Sequence, residues 1–151
     1  MEFIDLKAQQ KLIRESLNTS INKVLDDGRY ILGEEVSALE NKLSSFCGAK
    51  YSIGCSNGTD ALIIALLALG IKPGDGVITV PFTYIATLEA IATIGAIPVL
   101  VDVYDSTFNM NPELIDEVIK NSEYNIKAIM PVDLFGLPAR YRLIKEISEK
   151  H

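Results

Sequence analysis

Between Tyr51 and Ile71 the chain reads YSIGCSNGTDALIIALLALGI, a short apolar run, then Ser56, Asn57, Gly58, Thr59 and Asp60, then an apolar run of helical length. A helix that starts at this turn leaves its first amides without intrahelical acceptors and presents the positive end of its dipole there. With the Thr59 hydroxyl as a further donor, the turn offers a place for a phosphate. The commoner use of such residues is a plain N-cap, in which Ser56, Asn57 or Thr59 satisfies those amides. The glycines at 54 and 58 fit neither G-x-G-x-x-G nor a Walker loop, because no Gly-Lys-Ser/Thr follows.

Two further segments carry polar or aromatic groups where a strand gives way to a helix, the edge at which open α/β sheets bind ligands. In ITVPFTYIATLEAI these are Pro81, Phe82, Thr83 and Tyr84, and an aromatic there could stack on a planar ligand or serve the core. In MPVDLFGLP they are Asp133 and the turn at Gly136, and aspartate in such a turn is more often a cap than a ligand contact. The single histidine, His151, is the last residue, which removes a Ser-His-Asp triad, a Cys-His pair and a His-based zinc site from consideration. No metal site is expected. Cys47 and Cys55 lie outside any C-x-x-C spacing and read as reduced thiols.

These segments need a scaffold, and the pattern supplies one. Ile13, Leu17, Ile21, Val24 and Leu25 recur at helical spacing, predicting a helix from Leu6 to Asp26 that ends at Gly28. Val36, Leu39, Leu43 and Phe46 predict a second, Glu34–Phe46, closed by Gly48. Beyond Lys50, short β-rich runs alternate with helical ones, as in an α/β sheet with crossover helices. The expected strands are 51–55, 77–80, 97–102 and 126–131, with helices beginning near Thr59, Tyr84, Pro112 and Pro138. Asn111 is placed to cap, and Pro112 suits a first helical position. The division expected is a helical lead-in, residues 1–48, and a partial α/β domain, residues 49–151.

With 151 residues and 48% hydrophobic composition, the chain can build a sizeable core. Its net charge of −6, with no basic cluster, argues against nucleic acid as a partner. The longest uncharged apolar run, 61–71, falls short of the ~20 residues a membrane span needs. A cytoplasmic protein is expected.

The order of these features resembles the DegT/DnrJ/EryC1/StrS family of pyridoxal-phosphate-dependent sugar aminotransferases, of fold-type I. FIDLKAQ, GRYILGEEVSALE, FCGAKYSIGCSNGTDAL, PGDGVITVPFTYIATLEAI, GAIPVLVDV and MPVDLFGLPA carry the resemblance in sequence order. It implies the N-terminal part of the large domain, mainly parallel and incomplete. It also implies that Asn57, Gly58 and Thr59 receive the cofactor phosphate, that Tyr84 stacks on the pyridine ring, and that Asp133 approaches the ring substituents. Gly28, Arg29 and Tyr30 would lie near the active site of a homodimer. Many relatives carry an acidic residue where this chain has Gly76 and a histidine where it has Asp133.

The parent reaction implied is amino transfer from a donor such as glutamate to a keto-sugar nucleotide, in polysaccharide biosynthesis. The family's Schiff-base lysine, its pyridine-nitrogen partner and its small C-terminal domain have no counterpart in the sequence. None of the ten lysines matches the covalent position. No catalytic residue is therefore assigned, and cofactor binding is expected to be weak and non-covalent. Two functions follow: a truncated aminotransferase, inactive alone or active with a complementary C-terminal chain, or a non-catalytic module for phosphate, pyridoxal phosphate or a subunit. A transcriptional role fits the acidic charge poorly. The resemblance further implies that the strands at 77–80 and 97–102 pair, that those at 51–55 and 126–131 lack neighbours, and that apolar surface is left exposed.

Overall fold

The computed structural model describes residues 3–151, which divide into two compact units between Gly54 and Cys55. In the first, α1 (Leu6–Asp27) and α2 (Glu34–Cys47) follow the expected stripes. Asp5 caps α1 by accepting from the Ala8 amide at 2.9 Å. Gly28 and Gly48 close the helices at φ 64° and 66°, a left-handed turn that glycine makes without a Cβ clash. Lys23 on α1 meets Glu35 on α2 at 2.9 Å. Nothing on α1 is buried: Ile13, Leu17, Ile21 and Leu25 remain 37–57% exposed.

The second unit is a three-layer α/β fold. Its strands β1 (Gly76–Thr79), β2 (Ile97–Leu100) and β3 (Ile126–Ile129) form a parallel sheet in the order β2-β1-β3. Parallel strands are covered on both faces, and alternation along β1 shows how. Val77 packs with Leu66, Ile71, Ile91 and Ala96, from the side of α3 (Gly58–Ala68) and α4 (Ala86–Thr93). Ile78, one residue on, faces Val101, Met110, Ile115 and Ile144, from the side of α5 (Ile115–Asn121) and α6 (Tyr141–Lys150). Both β1 side chains are fully buried, worth about 1.5–3 kcal/mol each. No helix among the described residues is long and apolar enough to cross a membrane.

Two expectations about the sheet are corrected. Residues 51–55 form no strand, because no neighbour takes up their backbone groups; Gly54 instead donates to the Glu40 carboxylate at 2.7 Å. The segment at 126–131 does have a neighbour, pairing with β1 through Gly76↔Ile126 and Ile78↔Ile129. β1 is buried along its whole length, and only strands on both edges give it that environment. The register shifts at Gly76, where an added Cβ would come within 2.6 Å of the Ile126 Cδ1. Helix starts move too: α4 begins at Ala86 and α6 at Tyr141, each after a turn, and a 3₁₀ turn at Pro112–Leu114 precedes α5.

Candidate functional site

The chain leaves β1 for β2 on one side of the sheet and returns to β3 on the other, so the connections diverge between β1 and β3. At such a point the loops at the strand C-termini open a crevice. Thr79, fully buried at the end of β1, closes its floor by donating to the Met130 carbonyl at 3.0 Å. Tyr84 follows β1 and Asp133 follows β3, which places both on this edge.

The N-terminus of α3 reaches the same edge. The turns that end α3 and α4 are joined at the far end of the sheet, where the Gly74 amide donates to the Gly95 carbonyl at 2.8 Å before β1 and β2 begin. Both helices therefore run back along the sheet with their N-termini beside the strand C-termini.

At the start of α3 the structure shows the N-cap and, among the described residues, leaves two amides of the SNGTD turn without acceptors. Asn57, extended at φ −163°, caps the helix by accepting from the Asp60 amide at 2.8 Å. Ser56 and the Asn57 amide group (3.2 Å) both donate to the Asp60 carboxylate, which holds that charge beside the turn. The Gly58 and Thr59 amides have no acceptor among the described residues. An added Cβ at Gly58 would meet nothing within 4 Å. Two free amides, the hydroxyl of the half-buried Thr59 and open space at a helix N-terminus form a donor set that suits a phosphate.

Tyr84 is 79% exposed, and its carbonyl accepts from the Thr87 amide at 3.1 Å, so the backbone starts α4 while the ring stays free. The Thr83 and Thr87 hydroxyls meet at 2.9 Å and fix this entry. Asp133 has the turn role that such aspartates ordinarily take: its Oδ1 accepts from the Ala139 amide at 2.8 Å. Burial, and then a hydrogen bond with Asp133, hold the Tyr141 hydroxyl above the ordinary tyrosine range. Gly28, Arg29 and Tyr30 belong to the first unit, where Gly28 ends α1 and Tyr30 is 67% exposed.

The five lysines of the second unit lie away from this edge. Lys72 precedes β1, Lys127 is near the start of β3, Lys120 ends α5, and Lys145 and Lys150 are on α6. A concavity of about 540 Å³, lined by Pro98, Val118, Asn121 and Tyr124 among others, sits by the C-terminus of α5 and is not part of the crevice. Among the described residues no cluster of metal-ligating side chains occurs.

The chain, with two amides lacking acceptors among the described residues at the start of α3 and the exposed Tyr84 ring on one sheet edge, is similar to known proteins. The model of the DegT/DnrJ/EryC1/StrS aminotransferase family matches residues 11–151. The chain belongs to that family. It is 49% identical over 151 residues to the UDP-2-acetamido-2-deoxy-3-oxo-D-glucuronate aminotransferase of Pseudomonas aeruginosa, covering 100% of this chain and 41% of that one. A DegT DnrJ EryC1 StrS aminotransferase from Brucella abortus superposes with a TM-score of 0.92 at 47% identity, over 99% of this chain and 41% of the other. NtdA from Bacillus subtilis with bound cofactor PMP gives 0.83 at 33% identity, over 90% and 31%. The chain thus spans 31–41% of the length of these relatives, and its α/β unit is part of a fold-type I domain.

One residue of this edge was not singled out from sequence. Asn109 is 4% exposed, donates to the Leu137 carbonyl at 2.8 Å and accepts from the Leu134 amide at 3.0 Å. In DSTFNMNP it reads as one more turn asparagine, and no spacing distinguishes it.

Proposed function

We propose that this chain forms the phosphate-holding and ring-stacking part of a pyridoxal-phosphate-dependent aminotransferase acting on a keto-sugar nucleotide with an amino-acid donor. The two unpartnered amides at Gly58 and Thr59, on the same sheet edge as the exposed Tyr84 ring, carry this reading. Bound there, the cofactor would supply an electron sink for amino transfer. The residues of this chain do the holding. The Gly58 and Thr59 amides and the Thr59 hydroxyl take the phosphate, Asn57 keeps the helix start capped, and Tyr84 provides a flat apolar platform for the pyridine. Asp133, fixed at Oδ1 by the Ala139 amide, would approach the ring substituents from the loop after β3.

No lysine of the second unit reaches this edge, so this unit would hold the cofactor reversibly and without covalent attachment. Activity would require the pyridine-nitrogen partner and the Schiff-base lysine that the family resemblance implies, from the same subunit or from a complementary chain, with a homodimer as the complete assembly. Titration of the chain with pyridoxal phosphate and with pyridoxal tests the reading. The phosphorylated form should bind at least about tenfold more tightly, since one charge-assisted hydrogen bond is worth roughly 1.5–3 kcal/mol, and Thr59→Ala should narrow the gap. Equal affinity for both ligands would refute a phosphate cup.

A further inference from the structure

Resting on the cofactor site proposed above, we propose that the turn Tyr104–Asn109 is a strut that sets the two crevice loops relative to each other, with Phe108 and Asn109 as positioning residues. This turn follows β2, the strand on the far side of β1 from β3, yet it reaches both loops. Its base is fixed by the antiparallel bridge Val103↔Met110 and by the Tyr104 amide donating to the Asn109 carbonyl at 3.0 Å. The Phe108 ring then lies 5.3 Å from that of Phe82, two residues before Tyr84.

Asn109, beside it, is bound at both ends to the loop after β3, accepting from Leu134 and donating to the Leu137 carbonyl. Asp133 immediately precedes the first of these partners. A third hold comes from Tyr104, whose ring carries the Arg140 guanidinium at 4.6 Å and whose hydroxyl accepts from it at 3.2 Å. Phe108 and Phe135, on the strut and on the loop it grips, both sit at positive φ, 57° and 55°. Side chains in that conformation persist where surrounding contacts over-determine them. A buried amide group whose donor and acceptor are both spent on one loop fixes that loop's path, and the ring contact fixes the other. Among the described residues no hydrogen bond or ring contact joins the strut to the start of α3.

This last point gives the test. Two variants of the full chain, Asn109→Leu and Phe108→Gly, are compared with the unsubstituted chain for affinity toward pyridoxal phosphate and toward inorganic phosphate, with thermal unfolding in parallel. Glycine adopts a φ of 57° freely, so Phe108→Gly removes the ring without adding strain. Both variants should lose about tenfold in affinity for pyridoxal phosphate, the scale of one or two lost positioning contacts, while inorganic phosphate binds unchanged. If Asn109→Leu does not unfold cooperatively, Phe108→Gly decides alone. Unchanged pyridoxal phosphate affinity, or an equal loss for both ligands, would overturn the strut. Failure of the unsubstituted chain to bind either ligand would instead overturn the cofactor site on which it rests.

Discussion

Gly58→Pro separates binding at the α3 N-terminus from the stability of the helix. Gly58 is the first residue of α3, Asn57 before it is extended at φ −163° and ψ 174°, and nothing lies within 4 Å of an added Cβ. Proline is favoured at a first helical position, and an extended preceding residue is what it requires. The folded state therefore accepts the ring, and the unfolded chain loses freedom, so stability should stay level or rise by about 0.4–1 kcal/mol. Binding should move the other way. The substitution deletes one of the two amides without an acceptor while leaving the Thr59 amide and hydroxyl in place. A hydrogen bond to a charged group contributes about 1.5–3 kcal/mol, so the dissociation constant for pyridoxal phosphate should rise roughly tenfold to a hundredfold. Gly58→Ala keeps the amide and serves as the control for the added carbon. Absorbance titration gives the affinities and thermal unfolding the stability. A proline variant that melts at or above the parent and binds as tightly would show that the phosphate is not held by these amides.

Tyr84→Ala should weaken pyridoxal phosphate by severalfold and leave inorganic phosphate unaffected, because its ring is free while its backbone starts α4; equal affinities in a paired titration would remove Tyr84 from the site. Ile78→Ala, fully buried against Val101, Met110, Ile115 and Ile144, should cost about 2–5 kcal/mol, read as a lower urea midpoint, and a loss below about 1 kcal/mol would mean that this core is not packed as described. Asp116 on α5 meets Lys150 at 2.5 Å and His151 at 2.8 Å, and hydrogen bonds from these two, in that order, hold its carboxyl below the usual carboxylate range. Its folded value being depressed, the stability it contributes is present above the ordinary carboxylate range and is lost as pH falls through the lower folded value. Asp116→Asn should flatten the acid side of a urea-midpoint profile, and an unaltered profile would show the cluster to be idle.

Most helices were legible because their signals are local. The stripes of α1 and α2, the glycines at 28 and 48 and the cap at Asn111 each depend on residues within a few positions. The strand at 51–55 misled because its apolar, β-rich composition describes a preference, whereas a strand exists only where a neighbour takes its backbone groups. The pairing of β3 with β1 was hidden for a related reason. It is set by which face each crossover covers, a property of residues as distant as Val77 and Ile144. At the site, the SNGTD turn was open to two readings, and the asparagine cap that realises one satisfies one amide and leaves two free for the other. Asn109 stayed hidden because its partners lie 25 and 28 residues away.

The central claim is a site that holds the cofactor by its phosphate and ring, with no lysine of the second unit placed for covalent attachment. Incubating the chain with pyridoxal phosphate, reducing with borohydride and locating any adduct by mass spectrometry tests it most directly, with parallel titration measuring reversible binding. The account predicts saturable binding that inorganic phosphate competes away and Thr59→Ala weakens, with no stoichiometric adduct on any one of the ten lysines. A one-to-one adduct on a single lysine, or no saturable binding at all, would contradict it.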